Sequence, residues 1–517
     1  MKRIFRFLLV GILLLAAFLR LYRIADYMTF LGDEGRDVLV AYNILHGHPT
    51  LLGPTASVGG FFLGPIYYYF MAPFLWLFNY NPVGPAVMVA FFGAATVFLI
   101  YKVGSEFFNK TVGIVAAFLY SISPLVIAYS RSSWNPNLMP FFSLLTLYLI
   151  YKAVKSNKIK LFILSGFVFG ITMQLHYLAL FLGVIVAVYM LLYSFVFTRK
   201  NILPMLIKQY TYTYVGFVVG WSPFLVFEIR HRFINIIRIF NFIFHSGDTG
   251  SDAHFFETIS NVFFRLFARL VTNFPPPEQV SLGANQTIAI WYYATFVLAI
   301  VSVLLLGHRL LESLRNKEQF QKISLLVLWL IIGVGLFGFY KKSIYDYYFG
   351  FMFPLSFLLV GMTISSLFKK KGGIMFGIVI FLFLVWINLK GIPFLSPANR
   401  QLLQAEIISK FVLSKTESKP FNFALITGGN SDHAYRYFFT VWNKSPIIIE
   451  NINKDPKRET VTDQLLVVCE IAECHPLGYS LWEVAGFGRA EIVDSWDVSV
   501  VKVYKLSHYT GKPIVVR

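Results

Sequence analysis

Long apolar runs alternate with short polar breaks along the first three quarters of the chain. A helix that crosses the hydrocarbon core of a bilayer needs ~20 largely apolar residues. Windows of that size predict about eleven spanning helices, near 5–24, 84–104, 111–129, 137–153, 161–174, 177–197, 208–228, 288–307, 323–340, 346–367 and 372–390. The pattern therefore predicts an α-helical polytopic membrane protein.

Segment 61–79 is also apolar, but it carries Pro65 and three consecutive tyrosines at 67–69. Tyrosine is enriched at the level of the lipid headgroups, where its ring is buried and its hydroxyl is hydrated. We therefore predict an interfacial helix in this segment. If the segment spans instead, the topology inverts after it.

The long apolar runs end near residue 395. Short apolar segments at 423–427, 464–469, 490–493 and 498–504 predict strands, and a helix is predicted near 432–442. We predict a membrane domain over 1–394, with outer loops at about 27–83 and 229–287, and a small soluble α/β domain over 395–517. The two cysteines, Cys469 and Cys474, lie in that domain, and their spacing is compatible with a disulfide or with free thiols.

The distribution of lysine and arginine between the short loops predicts the orientation, because cytoplasmic loops carry the excess. With the N-terminus inside, the opposite short loops hold only Arg36, Arg131, Lys341 and Lys342. The cytoplasmic ends and loops then hold Lys2, Arg3, Arg6, Lys102, Lys110, Lys152, Lys155, Lys158, Lys160, Arg199, Lys200, Lys208, Arg309, Arg315, Lys317, Lys322, Lys369, Lys370 and Lys371. We therefore predict a cytoplasmic membrane protein with its C-terminal domain outside.

Composition agrees with this class, since 57% of 517 residues are hydrophobic and 14% are charged, against about 25% charged in soluble domains. The formal charge of +19 is explained by orientation and anionic headgroups, with no nucleic acid as partner. The first segment can also be read as a signal peptide. Arg20-Leu-Tyr-Arg23 stands where a small-residue cleavage site would be, which favours a retained helix.

An acidic pair, Asp33-Glu34, follows the first apolar window and is predicted to face outward. Ionisable groups at a membrane edge are costly to desolvate and are therefore functional candidates. ATP and nucleotide sugars are not available on that side, so an energised donor must arrive through the bilayer, as a polyprenyl-phosphate sugar would. The alternative is that the pair caps a helix over about 35–45, because acids favour first turns.

Sugar transfer needs a carboxylate to deprotonate the acceptor hydroxyl and cations to hold the leaving phosphate. Arg131, Lys341 and Lys342 are cations on the less positive side. Arg131 could equally anchor a tight loop, and the two lysines could extend to headgroups. Further residues that would line such a site are Arg36, Asn135, His176, Tyr177 and Tyr345, although a lone histidine such as His176 is more often a packed, hydrogen-bonded residue.

Three sequence features together resemble a known family. They are Gly32-Asp33-Glu34 after the first helix, Gly64-Pro-Ile-Tyr-Tyr-Tyr69, and Lys341-Lys342-Ser-Ile-Tyr345-Asp-Tyr-Tyr followed by Pro354-Leu. Over about 5–390 the chain resembles the C-type (GT-C) glycosyltransferases. It is most similar there to the family 39-like group, which includes protein O-mannosyltransferases, the lipid A aminoarabinose transferase and the rhizobial lipopolysaccharide transferases.

The resemblance implies an inverting transfer from a polyprenyl-phosphate sugar to a lipid, glycan or protein acceptor on the outer face, in cell-envelope glycan synthesis. It implies that Asp33 is the catalytic base and Glu34 a helper. Lys341 or Lys342, together with Arg131, would bind the donor phosphate. Several relatives carry a second acid between helices three and four, where this chain reads Ser130-Arg131-Ser-Ser-Trp-Asn135-Pro-Asn137. A divalent metal therefore stays an open question, and Asn135 or Asn137 would hydrogen-bond there instead.

A transporter or lipid flippase without covalent chemistry is the rival function, and a catalytically inactive scaffold is a third. Transporters usually place their charges at mid-bilayer, on broken helices in repeated halves. Here the candidate charges lie at one interface and no internal repeat is apparent. The transferase is therefore favoured.

Overall fold

The computed structural model describes residues 2–197, 202–283, 285–369 and 371–511, so Arg199, Lys200 and Lys370 of the predicted cytoplasmic set lie outside the described residues. The chain forms two compact units. The helical unit comprises the described residues of Met1–Ile24, His48–Phe74 and Ala86–Pro397, and the mixed unit those of Ala25–Gly47, Leu75–Pro85 and Ala398–Arg517. The last segment of the mixed unit begins close to the predicted boundary near 395, but two pieces of the predicted first outer loop also join that unit.

Helices dominate the described residues. They are α1 (Lys2–Leu21), α2 (Ile24–Tyr27), α3 (Gly32–Leu45), α4 (Ile66–Leu77), α5 (Val83–Phe107), α6 (Lys110–Ile122), α7 (Pro124–Tyr129), α8 (Met139–Ser156), α9 (Ile159–Leu175), α10 (Ala179–Phe197), α11 (Ile202–Gly220), α12 (Ser222–Arg230), α13 (Ile234–Phe244), α14 (Phe255–Ala268), α15 (Gln286–Ser313), α16 (Lys317–Gly335), α17 (Phe353–Leu367), α18 (Gly373–Lys390), α19 (Gln401–Lys415), α20 (His433–Val441) and α21 (Trp482–Phe487). Short 3₁₀ helices cover Asn135–Leu138, Pro277–Gln279, Leu336–Phe339, Asp346–Met352 and Pro393–Leu395.

Eight helical segments among the described residues are long and apolar enough to cross a membrane. The consecutive helices α11 and α12, bent by 75°, make a ninth if they are one broken span. The predicted window 111–129 is divided at Ser123 into α6, of 13 residues, and α7, of 6 residues, and the window 161–174 lies within α9, of 17 residues. A multi-pass helical protein is therefore confirmed, while the number of crossings beyond these stays a prediction.

The segment predicted to lie at the interface forms the 12-residue helix α4, which is too short to span alone. Its helical state is confirmed, and its position at a membrane surface stays a prediction. Elsewhere, α6 ends at Ile122, and Pro124 begins the next helix at its first position, where a missing N–H costs nothing.

Close helix packing supports the short helix α9. A Cβ atom on Gly166 would collide with the main-chain oxygen of Thr213, and one on Gly216 with that of Ile163. Glycine is therefore required at both positions, since only a hydrogen in place of Cβ lets the backbones of α9 and α11 approach this closely.

The Tyr347 ring lies 4.4 Å from that of Trp134 and 5.9 Å from that of His176, so residues 130–138, 176–178 and 340–347 lie together at one end of the helical unit. We call this end the loop end. Hydrogen bonds support the arrangement: Asn135 Nδ2 donates to the main-chain oxygen of Leu175 at 2.6 Å. The segment 231–285 connects two helices at the same end and carries α13 and α14.

The mixed unit contains a four-stranded sheet of β1 (Asn422–Ile426), β2 (Gln464–Cys469), β3 (Ala490–Val498) and β4 (Val501–His508), in the order β1-β2-β4-β3. β1 and β2 are parallel, and the other pairs are antiparallel. Every residue of β1 and β2 is buried, and after the first residue of each, Asn422 and Gln464, their sequences are continuous apolar runs without alternation. The predicted small α/β domain is confirmed, and Cys469 and Cys474 form a disulfide.

Candidate functional site

The acidic pair lies in the first turn of α3, which begins at Gly32, three residues before the predicted start. The residue before the helix is Leu31, whose side chain has no atom that can accept a hydrogen bond. Two other groups replace it: the Glu34 carboxylate accepts from the main-chain N–H of Leu31 at 3.0 Å, and Asn430 Oδ1 accepts from that of Gly32 at 2.8 Å. The capping role that the sequence left open is therefore performed by Glu34.

Glycine allows α3 to pack directly against the segment that begins α20. A Cβ atom on Gly32 would collide with Ser431, and one on Gly35 with the backbone of Ala434. Both glycines lie one helical turn apart, so they form one face of the helix. The neighbouring position, Asp33, therefore has a fixed direction relative to the C-terminal residues of the mixed unit.

Three carboxylates in the first two turns of α3 have different surroundings. Glu34 and Asp37 are buried, whereas 58% of the Asp33 side chain is exposed. Burial raises the pKa of Glu34 to about 7. Arg36 bridges the other two acids, at 2.8 Å from Asp33 Oδ1 and 2.7 Å from Asp37 Oδ1. Asp33 is thus the accessible carboxylate of this group, and it is held by a neighbouring cation.

A histidine from the start of α20 faces the same group. His433 Nδ1 lies 2.8 Å from Ser431 Oγ. Burial lowers the pKa of His433, and the charges of Arg36 and Asp33 act on it in opposite directions. The sequence analysis did not select His433, because its proximity to the acidic pair depends on contacts between residues about 400 positions apart.

The loop end of the helical unit contains a cavity of about 720 Å³. The predicted site residues Lys341, Lys342 and Tyr345 line it. Its remaining lining residues are Tyr129, Asp252, His254, Glu257, Thr258, Asn261, Arg265, Pro276, Glu278, Gln279, Tyr340, Ser343, Ile344, Asp346 and Tyr347. A polar cavity of this size is large enough for a small-molecule substrate.

A buried ion network closes one wall of this cavity. Arg265 donates to Asp346 Oδ1 from Nε at 2.9 Å and from a terminal nitrogen at 2.6 Å, and Arg269 Nε donates to Oδ2 at 2.9 Å. Arg265 also donates to the main-chain oxygen of Ile344 at 2.6 Å, which fixes the loop that follows Lys342. Neither arginine was predicted from the sequence. The available signal was their spacing of four residues, with Arg265 in the last turn of amphipathic α14 and Arg269 directly after it.

The two lysines differ in their surroundings. Lys342 Nζ lies 3.1 Å from Asp248 Oδ1. Within the described part of the chain, no carboxylate lies within ion-pair distance of Lys341. The loop is held by main-chain pairing, since Lys341 N donates to the Asp248 oxygen at 2.9 Å and Gly250 N to the Phe339 oxygen at 2.8 Å. Lys341 is therefore the cation most available to an anionic ligand in this cavity.

His176 and Tyr177 belong to an aromatic cluster beside the cavity. The His176 ring lies 4.5 Å from the Tyr177 ring, 5.9 Å from that of Tyr347 and 5.6 Å from that of Tyr348. Burial lowers the pKa of His176 to about 3, so its imidazole is neutral. Tyr345 stacks on Tyr347 at 5.9 Å, which links the cluster to the cavity lining. The packed interpretation of His176 is favoured.

Arg131 is buried elsewhere at the loop end. Its guanidinium donates to the main-chain oxygens of Leu19 at 2.8 Å and Tyr22 at 2.6 Å, near the end of α1. These contacts favour the anchoring interpretation of Arg131. The Asn135 side chain likewise fixes the main chain at Leu175, through its hydrogen bond to the oxygen of that residue. Neither side chain lines the cavity with the lysines.

The structure thus brings Asp33, Glu34 and Arg36 together in the mixed unit, and Lys341, Lys342 and Tyr345 together in the helical unit. Among the described residues, no group of three or more histidine, cysteine, aspartate or glutamate side chains is arranged to hold a metal ion. Asp33 and Asp37 both form an ion pair with the Arg36 guanidinium, and its positive charge makes this pair of acids a poor site for a divalent cation.

Comparison with known proteins confirms the resemblance to the C-type glycosyltransferases. Residues 63–227 match the family model described as dolichyl-phosphate-mannose-protein mannosyltransferase. That stretch includes the tyrosine motif at 67–69 and most of the first half of the helical unit. Among curated proteins, none matches this sequence significantly.

Solved structures show the same fold. ArnT from Cupriavidus metallidurans, bound to undecaprenyl phosphate, has a TM-score of 0.61 at 10% identity, with 96% of this chain and 97% of that chain covered. The oligosaccharyltransferase AglB from Archaeoglobus fulgidus, in complex with an inhibitory peptide and a dolichol-phosphate, has a TM-score of 0.54 at 14% identity, with 90% and 69% covered.

The apo form of the Archaeoglobus fulgidus oligosaccharyltransferase has a TM-score of 0.54 at 13% identity, over 86% of this chain. This chain spans only 64% of that one. At these identities the likeness shows the fold. The protein therefore has the multi-pass fold of the C-type glycosyltransferases, with a small C-terminal sheet domain.

Proposed function

We propose that the protein is a glycosyltransferase of the cytoplasmic membrane that transfers a sugar from a polyprenyl-phosphate donor to an acceptor on the extracytoplasmic face. The observation that supports the proposal is the exposure of the Asp33 side chain. It is the exposed carboxylate at the start of α3, while its neighbours Glu34 and Asp37 are buried. A general base must reach its substrate, and Asp33 is the carboxylate of this group that is exposed.

The reaction is an inverting displacement. The acceptor hydroxyl oxygen attacks the anomeric carbon while Asp33 takes the hydroxyl proton. The bond between the anomeric carbon and the phosphate oxygen breaks, and the electron pair leaves with the polyprenyl phosphate. Arg36 orients the Asp33 carboxylate through its 2.8 Å contact. Glu34 supports the site by capping the helix that carries Asp33.

The lysine cavity supplies the phosphate site. Lys341, Lys342 and Arg265 line it, and a leaving phosphate is stabilised by charge-assisted hydrogen bonds from such groups. Tyr345 provides an exposed ring for the apolar or sugar part of the donor. ArnT and AglB were solved with lipid phosphates, which supports a donor of the same class here. The N-terminus inside and the mixed unit outside complete the proposed topology.

The test uses the purified, reconstituted protein with a panel of radiolabelled polyprenyl-phosphate sugars and a native membrane extract as acceptor. Asp33→Asn should lower transfer by about 10²–10⁴-fold, the usual contribution of a general base. Glu406→Gln is the matched control, since Glu406 is also a helical carboxylate paired with a base, at 2.7 Å from Lys410. It should transfer like the wild type.

Parallel reactions with and without a chelator decide whether a divalent metal is required. Equal turnover by Asp33→Asn and the wild type would contradict the proposed role of Asp33. Vectorial movement of the lipid across proteoliposomes without a new glycosylated product, unchanged in Asp33→Asn, would instead support the transporter.

A further inference from the structure

Glu34 accepts from the N–H of Leu31, but the N-cap side chain of the helix that carries Asp33 offers no acceptor to the first N–H groups of the helix itself. Its N-cap residue is Leu31, and the strongly preferred residues at that position are serine, threonine, aspartate and asparagine. The first N–H groups of a helix have no partner within the helix. An unmet donor there would let the first turn unwind, and Asp33 lies in that turn.

Asn430 supplies the missing acceptor from the other end of the chain, 398 residues away in sequence. Its Oδ1 accepts from the main-chain N–H of Gly32 at 2.8 Å and also from that of Ser431 at 2.9 Å. The same atom therefore joins the first residue of α3 to the segment before α20. Gly32 permits this geometry, since any Cβ at that position would collide with Ser431.

Glu470 fixes the orientation of the Asn430 amide. Asn430 Nδ2 donates to the two Glu470 carboxylate oxygens at 3.2 and 3.4 Å. The amide oxygen consequently points to Gly32 and not away from it. Glu470 is held in turn by Tyr435 at 2.7 Å and Thr427 at 2.9 Å. In this network each donor faces an acceptor, so the oxygen and nitrogen of the Asn430 amide cannot be exchanged.

The disulfide encloses Glu470. Cys469 ends β2 and is bonded to Cys474, so the carboxylate lies in a closed loop of a few residues. The network also borders a cavity of about 200 Å³ in the mixed unit, and does not lie inside the apolar core. Substitution of Asn430 or Glu470 is therefore expected to disturb the apolar core less than substitution of a core residue would.

We infer that Asn430 and Glu470 are positioning residues for the reaction: Asn430 caps α3 and thereby sets the direction of Asp33, and Glu470 orients the Asn430 amide. The inference rests on the proposed function, because it gives Asp33 the role of general base. Neither residue contacts substrate in this role. Both act through the first turn of α3.

The experiment compares transfer kinetics and amide hydrogen exchange in four reconstituted variants. Asn430→Leu removes the acceptor and the donor together. Asn430→Asp keeps the acceptor for Gly32 but places a second anion against Glu470. The double variant Asn430→Asp with Glu470→Gln restores one donor and one acceptor with the original net charge. Asn451→Leu is the matched control, since Asn451 is an exposed asparagine whose side chain accepts only from the nearby N–H of Asn453.

Asn430→Leu should lower kcat roughly 10- to 100-fold, the usual effect of a small displacement of a catalytic group, and leave KM for the donor unchanged. The amides of the first turn of α3 should exchange about tenfold faster. Asn430→Asp should lie between this variant and the wild type, and the double variant should recover most of the wild-type kcat. Asn451→Leu should match the wild type in both measurements.

Unchanged kcat and exchange in Asn430→Leu, with Asp33→Asn inactive, would overturn the positioning role and leave the proposed function intact. A loss in the double variant as severe as in Asn430→Leu would also contradict it, because the restored hydrogen bonds should rescue activity. If the wild type transfers no sugar from any donor, the proposed function fails, and with it the catalytic part of the inference. The exchange rates then decide the capping of α3 independently.

Discussion

Replacing Asp346 by asparagine tests the ion network in the wall of the lysine cavity. The Asp346 carboxylate accepts three hydrogen bonds from two arginines, at 2.9 and 2.6 Å from Arg265 and 2.9 Å from Arg269. All three side chains are largely buried, with 7%, 15% and 10% exposure for Arg265, Arg269 and Asp346. The substitution changes one atom and one charge, so it isolates electrostatics from packing.

The expected loss of folding stability depends on which hydrogen bonds remain in the Asp346→Asn variant. The asparagine oxygen can keep both bonds from Arg265, whereas its amide nitrogen faces the Arg269 Nε–H, where two donors meet. One charge-assisted bond worth about 1.5–3 kcal/mol is lost, and two buried cations lose their shared anion. Removing one partner of a buried ion pair costs about 3–5 kcal/mol. Each arginine keeps a main-chain acceptor, Ile344 or Phe274, so we expect about 3 kcal/mol.

Thermal unfolding in one detergent, followed by tryptophan fluorescence, measures this effect. A loss of ~3 kcal/mol should lower the apparent Tm by about 3 °C in a chain of this size. Asp252→Asn is the control, since Asp252 lines the same cavity and its side chain accepts only from the exposed N–H of His254. Its change should stay within about 0.5 kcal/mol.

A double variant separates the network from a general loss of charge. Combining Asp346→Asn with Arg269→Met removes the cation that has lost its partner, so the double variant should be more stable than the sum of the single changes predicts. If Asp346→Asn unfolds like Asp252→Asn, or if the two substitutions are additive, the network does not stabilise the cavity wall and the reasoning is refuted.

Three further predictions concern other parts of the molecule. Lys341→Gln should raise KM for the donor about tenfold and Lys342→Gln less, because Asp248 already neutralises Lys342; equal effects would contradict this. Burial raises the pKa of Glu34 from 4.5 to about 7, so the wild type loses stability as pH rises through that range. Glu34→Gln should therefore raise Tm at pH 8 but hardly at pH 4.5, and a gain independent of pH would exclude this origin. Replacing both Cys469 and Cys474 by serine should lower the free energy of unfolding by about 2 kcal/mol, because the disulfide closes only a short loop. An unchanged Tm under reducing conditions would contradict this prediction.

Local pattern was sufficient to predict the long apolar helices and strands β1 and β2, but not α19, α21 or the second half of β3. The apolar windows coincide with helices because a helix that is buried in lipid or in protein needs a long apolar run. β1 and β2 were predicted within a residue for the same reason, since both are buried on each face. The start of β4 at Val501, three residues after the predicted 498, reflects the turn that the hairpin needs after Val498.

Contacts between distant residues could not be predicted from local pattern. The sequence indicated that α3 begins near Gly35, whereas it begins at Gly32, because its first N–H is met by Asn430. Arg265 and Arg269 were missed, since a carboxylate 77 to 81 residues later determines their role. Asp33 could be selected from its sequence context, but its exposure relative to Glu34 depends on how α3 packs against α20.

The mixed unit is assembled from segments that the ribosome produces far apart in time. Gly32 is made early, and its partner Asn430 follows 398 residues later. At about 5–20 residues per second, that interval lasts roughly 20 to 80 seconds. During it, the helix that carries Asp33 has neither its cap nor its packing surface. If Asp33 is the general base that we propose, a newly made chain cannot hold it in its final position until the segment that contains Asn430 has been made and has folded.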